Sequence, residues 1–241
     1  MAAEEKANIE NIQDWREKMS IKLCPSMMCA DFRNLEREIE LLESAGADIF
    51  HLDVMDGQYV PNFGMGVQDI KAICQCATIK KEVHLMIENP VQYIELFASF
   101  GVDIIYIHPE AGYHPITTLQ KIKELGLETG IVLSPGTSVS SIQELLNVVD
   151  RVMVMGVNPG HAGQLYLPYA EDKIGHLLEL KKRYGYSIGM DGACNREIIE
   201  RLSKKGVENF VLGTAALFSG DKNYQERMNY IFEGIGKAES R

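Results

Sequence analysis

After its first twenty residues the chain alternates between two textures. Short runs rich in Ile, Val, Leu and Met begin near Lys22, Asp48, Ile79, Asp103, Glu128, Arg151, Tyr186 and Asn209. Runs that are apolar at consecutive positions predict strands covered on both faces, as in a parallel sheet wrapped by helices. Between them lie segments with helical periodicity, among them Asn34–Ala45, Pro90–Phe100, Ile116–Leu125 and Asn195–Lys205. Several of these end at a glycine (Gly46, Gly101, Gly126, Gly206), the residue that most easily adopts the left-handed conformation closing a helix. Strand starts recur about every 22 to 35 residues, one βα unit each time. Eight such units in 241 residues predict a single α/β domain, a (β/α)8 TIM barrel. We assign residues 1–20 to a short N-terminal extension with a helix around Ile9–Met19, and 21–241 to the barrel. The words Ala45-Gly46-Ala47-Asp48, Phe100-Gly101-Val102-Asp103 and Lys205-Gly206-Val207-Glu208 form a weak internal repeat at the bottom of the barrel, read as turn chemistry.

Composition narrows the function classes. Hydrophobic residues make up 46%, enough for a sizeable core, and the formal net charge is -10. An acidic chain repels nucleic-acid backbones, so an anionic substrate must be held by local features. The five cysteines are odd in number and show no disulfide-scaffold or zinc-ribbon spacing, which points to reduced thiols. The charged N-terminus has no apolar core of a secretory signal, and no apolar run is long enough to span a bilayer. The expectation is a cytoplasmic protein without nucleic-acid or membrane partners.

In a barrel of this kind, polar residues at the C-terminal strand ends face the mouth where chemistry is done. The second strand reads IFHLDVMDG, so His51 and Asp53, two apart, share one face. The third strand contributes His84 and the seventh contributes Asp191. Two imidazoles and two carboxylates at strand tops suit one divalent cation, Zn²⁺, Fe²⁺, Co²⁺ or Mn²⁺, with Mg²⁺ a further option. Three glycine-containing loops follow the later strands: 156–164 with Gly160, His161, Ala162 and Gly163; 191–193 with Gly192 and Ala193; and 213–215 with Gly213 and Thr214. None carries Lys or Arg. They suit a phosphate held by backbone N–H groups, although each loop taken singly is also explained by a tight turn.

These words, together with Pro25-Ser26, HLDVMDGQYVPN (51–62), HLM (84–86), VMGVNPGHAGQ (154–164), DGACN (191–195) and LGTAALF (212–218), resemble the ribulose-phosphate 3-epimerase family over residues 22–235. The resemblance implies a metal-dependent isomerase of sugar phosphates, commonly a homo-oligomer. It assigns His51, Asp53, His84 and Asp191 to the metal, and Asp53 and Asp191 also to acid/base catalysis. It adds Ser26 and His84 to the substrate site, and Met55, Met86 and Met155 to its apolar lining. The chemistry needs these types. Inverting carbon 3 of a ketose removes a proton next to a carbonyl, leaves an enediolate that a metal stabilises, and returns the proton from the opposite face. Two carboxylates held in different protonation states meet that need.

Some words depart from the common family pattern. His161 stands where an aromatic is usual, and Met27-Met28-Cys29-Ala30, DGACN and GTAALF resemble the allulose-6-phosphate 3-epimerase branch. This wording favours conversion of D-allulose 6-phosphate to D-fructose 6-phosphate, with ribulose 5-phosphate to xylulose 5-phosphate as the alternative. His108-Pro109-Glu110 at the end of the fourth strand belongs either behind the site or near the sugar hydroxyls. Two rivals are weaker. A metal-free barrel lyase lacks its Asp-x-Lys-x-x-Asp cluster here, because Asp69-Ile-Lys71 falls in a predicted helix. A non-catalytic sugar-phosphate-binding barrel would have lost one of the four cluster residues, and all four are present.

Overall fold

The computed structural model describes residues 20–220 and 223–236. The expected helix at 9–19 lies outside them. Eight strands run in parallel: β1 (Lys22–Pro25), β2 (Ile49–Met55), β3 (Lys80–Met86), β4 (Ile104–Ile107), β5 (Glu128–Leu133), β6 (Arg151–Met155), β7 (Ser187–Asp191) and β8 (Asn209–Leu212). Their hydrogen-bonded order is β1-β8-β7-β6-β5-β4-β3-β2. The ring closes where the N–H of Asp48 donates to the carbonyl of Leu23 and a parallel bridge joins Ser26 to His51. The barrel expectation is met.

Outside the strands lie α1 (Leu35–Ser44), α2 (Val67–Cys76), α3 (Ile94–Ala98), α4 (Pro115–Glu124), α5 (Ala170–Tyr184), α6 (Arg196–Lys205) and α7 (Tyr224–Gly236). Two connections differ from the simple βα expectation. Pro90–Phe100 splits into a 3-10 turn (Pro90–Gln92) and the short α3. Between β5 and β6 stands a 3-10 helix, Ser140–Asn147, in which Ile142 and Leu145 are buried. Their i,i+3 spacing fits three residues per turn, so that helix buries its apolar side without becoming α.

Alternation along each strand divides the side chains between two cores. Phe50, Leu52, Val83, Leu85, Ile105 and Ile107 face the helices. Ile49, Ile104, Tyr106, Val132, Met153 and Val211 fill the barrel interior. Two glycines make room there. A Cβ on Gly130 would lie 2.2 Å from the Tyr106 ring, and one on Gly189 would lie 2.7 Å from the Met153 sulfur. The inward series on β2 is Ile49, His51, Asp53, Met55, and on β3 it is Glu82, His84, Met86. The same parity that puts the apolar residues inside puts the chemistry above them.

The weak repeat at the barrel bottom has a specific use. Asp48, Asp103, Asp150 and Glu208 each precede an even-numbered strand. Each carboxylate accepts the backbone N–H of the odd-numbered strand before it: Leu23 at 2.9 Å, Lys81 at 2.8 Å, Thr129 at 2.9 Å and Ile188 at 3.0 Å. A hydrogen bond to a charged acceptor contributes about 1.5–3 kcal/mol where it is shielded from water. The glycines before Asp48, Asp103 and Glu208 have positive φ, from 82° to 103°, which turns the chain sharply into position. All five cysteines are free thiols, as expected. Among the described residues no helix is long and apolar enough to cross a membrane.

Candidate active site

The register of β2 on β3 sets His51 beside Glu82 and Asp53 beside His84. Asp191, at the end of β7, reaches the same point from across the barrel mouth. His51 Nε2 lies 3.3 Å from Asp53 Oδ1 and 3.9 Å from Asp191 Oδ2. His84 Nδ1 lies 3.3 Å and 3.5 Å from the same two oxygens. All four donor atoms fall within 4.8 Å of one another. Bonds of about 2.0–2.2 Å to one tetrahedral cation require donors roughly 3.3–3.6 Å apart. Both histidines are fully buried, yet His51 Nε2 and His84 Nδ1 have no hydrogen-bond partner. An unpaired buried polar atom costs about 1–3 kcal/mol. Two of them aimed at two carboxylates fit a cation held between all four groups.

The electrostatics agree. Burial alone would lower the basicity of His51, but the Asp53 and Glu82 carboxylates outweigh it and raise it well above the ordinary imidazole value. For His84, too, burial is outweighed, here by Asp191 and Asp53, and its basicity rises. Asp53 is pulled the other way: its burial is outweighed by His51 and His84, which keep it ionised far below the usual carboxylate range. The cluster attracts positive charge.

Each group is held from behind. His51 Nδ1 donates to Glu82 Oε1 at 2.7 Å, which leaves Nε2 facing the carboxylates. Ser26 Oγ donates to Asp53 Oδ2 at 2.6 Å, which leaves Oδ1 facing the imidazoles. His84 Nε2 meets His108 Nε2 at 2.9 Å. His108 therefore sits behind the cluster and not among the cavity walls. Burial pushes it down to about 4, so it stays neutral.

Above the cluster a cavity is lined by Ser26, Asp53, Met55, Met86, Met155 and Asp191. The three glycine loops form the rest of the wall, through Gly160 to Gly163, Gly192, Ala193, Gly213 and Thr214. Every site residue expected from sequence lines this cavity except the two histidines, which lie beneath its floor. The floor and wall also include Met28, Cys29, Val157, Asn158, Gln164 and Ala215, which sequence reasoning placed in its loops and words without giving them a role, and Val211, which it did not name. His161 is exposed at the mouth. Ala193 has φ 54°, a left-handed conformation that non-glycine residues rarely adopt, in the turn entering α6. Gly192, at φ 103°, has its Cβ position 2.6 Å from Val157 Cγ2, so the two loops touch where only glycine fits.

Glu82, Tyr59 and Ser134 also escaped the sequence reading. For Glu82 the signal was parity: it is two residues before His84 and so shares its face. Tyr59 and Ser134 stand in loops and carried no such signal.

Comparison with known proteins places this geometry in context. The model of the ribulose-phosphate 3-epimerase family matches residues 22–218. The ribulose-phosphate 3-epimerase of Helicobacter pylori is 42% identical over 204 residues, 84% of this chain and 93% of that protein. The ribulose-phosphate 3-epimerase of Bacillus subtilis is 38% identical, covering 84% and 94%. Among solved structures, KGPDC from Streptococcus mutans superposes with a TM-score of 0.71 at 11% identity, covering 92% of this chain and 100% of that one. Phosphoribosyl anthranilate isomerase from Thermus thermophilus superposes with a TM-score of 0.64 at 11% identity, covering 90% and 99%. The structural likenesses speak for the barrel alone.

Proposed function

We propose that this chain, which belongs to the ribulose-phosphate 3-epimerase family, interconverts ribulose 5-phosphate and xylulose 5-phosphate, with Asp53 and Asp191 as its two proton-transfer groups. It is an isomerase of the epimerase class acting on a sugar phosphate. One observation carries the assignment of roles: two carboxylates from strands on different sides of the mouth converge on two orphaned imidazole nitrogens at the floor of one cavity.

His51, Asp53, His84 and Asp191 would hold a divalent cation. When bound, it would supply Lewis-acid polarisation of the substrate carbonyl. The protein's own residues do the rest. One carboxylate takes the carbon-3 proton from one face, and the other, protonated, returns a proton to the opposite face. Their surroundings differ. Asp53 is 5% exposed and pinned by Ser26, whereas Asp191 is more open to the cavity. Met55, Met86 and Met155 line the reacting space with soft apolar surface and exclude water from the intermediate. The loops at 160–163, 192–193 and 213–214 would take the phosphate on backbone amides.

The short words at 27–30, 191–195 and 212–218 favoured a six-carbon substrate. Relatives that are ribulose-phosphate 3-epimerases align over most of the chain, and whole-barrel likeness outweighs three short words, so the five-carbon substrate is preferred. The purified protein is expected to show a higher kcat/KM for ribulose 5-phosphate than for allulose 6-phosphate. The reverse order would return the substrate to the six-carbon sugar while leaving the epimerase assignment standing.

A further inference from the structure

His84 is tied to the protein surface by an unbroken hydrogen-bonded line through four other residues. Its direction can be worked out from both ends. At the inner end, a His84 whose Nδ1 holds the cation beside Asp53 and Asp191 has no hydrogen on that atom, so Nε2 carries it and donates to His108 Nε2 at 2.9 Å. A neutral His108 that accepts on Nε2 must carry its hydrogen on Nδ1, which then donates to Ser134 Oγ at 3.0 Å. At the outer end, Glu110 can only accept. Tyr59 donates to its Oε1 at 3.1 Å, and Thr137 donates to the same oxygen at 2.8 Å. The Ser134 hydroxyl then donates to the Tyr59 oxygen at 3.2 Å. Every hydrogen along the line then has one acceptor, in a consistent sense.

The line follows one side of the barrel mouth, over four neighbouring strands. His84 is on β3, His108 and Glu110 follow β4, Ser134 follows β5, and Tyr59 sits in the loop after β2. That loop is fixed elsewhere as well: Asp56 accepts the N–H groups of Gln58, Tyr59 and Glu88, and Asn62 Nδ2 donates to the Gly160 carbonyl. Ser134 is independently anchored, because Lys173 Nζ donates to its carbonyl and to that of Pro135.

We propose that His108, Ser134, Tyr59 and Glu110 are positioning residues that hold the His84 imidazole in its cation-binding orientation, and that the loop after β2 is part of the metal site through the Tyr59 hydroxyl. The inference rests on the metal reading given above. A partner behind a metal-bound histidine fixes its tautomer and ring angle, and losing such a partner typically weakens the metal about 10–100-fold.

The test measures metal binding without sugar. Zn²⁺ affinity is taken by competition with a chromophoric chelator, and the visible spectrum of the Co²⁺ form reports ligand geometry. Ser134→Ala and Tyr59→Phe remove one hydroxyl each, and the anchored backbone at 134 keeps the strand end in place. Both are expected to bind Zn²⁺ about tenfold more weakly and to shift the Co²⁺ bands. Ser134→Thr, which restores a hydroxyl, is expected to regain most of the affinity. Parent-like affinity and an unchanged Co²⁺ spectrum in either truncated variant would overturn the proposal, whatever happens to thermal stability. So would a parent protein that binds no divalent cation. A parent that binds the cation with the expected variant pattern, yet epimerises neither ketose phosphate, would contradict the proposed activity and uphold the line behind His84.

Discussion

Asp191→Asn is expected to lower turnover by about 10²–10⁴-fold, with the fold intact. Asparagine keeps the shape of the side chain and one oxygen toward the imidazoles, but it can neither take nor return a proton. Asp191 lines the cavity and is only partly buried, so no core packing depends on its charge. Asp53→Asn should lose as much, with a larger effect on stability, because Asp53 is buried and accepts from Ser26. The two variants are also expected to fail differently. With one carboxylate left, the carbon-3 proton of only one epimer can be removed. Each variant should therefore exchange that proton with solvent in one epimer and not in the other, and the two variants should choose opposite epimers. Turnover within tenfold of the parent in Asp191→Asn, at saturating metal, would remove Asp191 from the proton path.

Removing the metal is expected to have a comparable effect. Dialysis against a chelator should lower activity at least about 10²-fold, since Lewis-acid polarisation is worth several kcal/mol, and Zn²⁺, Co²⁺, Mn²⁺ or Fe²⁺ should restore it. The sign of the pH dependence follows from the cluster. In the metal-free protein, Asp53, Asp191 and Glu82 raise the basicity of His51 and His84, so both hold protons to higher pH than free imidazole. A cation must displace them. Apparent affinity should therefore rise with pH through the neutral range and fall in acid, with net proton release on binding measurable by calorimetry in buffers of different ionisation heat. Full activity after exhaustive chelation, with metal content verified below the enzyme concentration, would contradict the metal reading.

The strands and the cluster were legible in the chain because they follow simple periods. Each βα unit has one apolar run, and each strand alternates, so the two-residue period alone puts His51 and Asp53 on one face. Gly46, Gly101, Gly126 and Gly206 marked the helix ends correctly, and all four have positive φ. What could not be read depends on register between distant segments. Glu82 reaches His51 only because β3 pairs with β2 in one of its possible registers. Tyr59 and Ser134 are 75 residues apart and meet through loop geometry that no local pattern encodes. The repeat ending in Asp48, Asp103 and Glu208 looked like turn chemistry. Its carboxylates turn out to cap the amide of the preceding strand, with Asp150 as an unrepeated fourth member. The 3-10 helix at Ser140–Asn147 escaped because short apolar spacing at i,i+3 is shared by both helix types.

The most direct measurement follows deuterium at carbon 3. The metal-loaded protein is incubated with ribulose 5-phosphate in deuterated water, and both epimers are examined by NMR. Proton removal by one carboxylate and return by the other predicts xylulose 5-phosphate carrying deuterium at carbon 3 and nowhere else. Epimer that keeps protium at carbon 3, label at another carbon, or no exchange with metal present would contradict it.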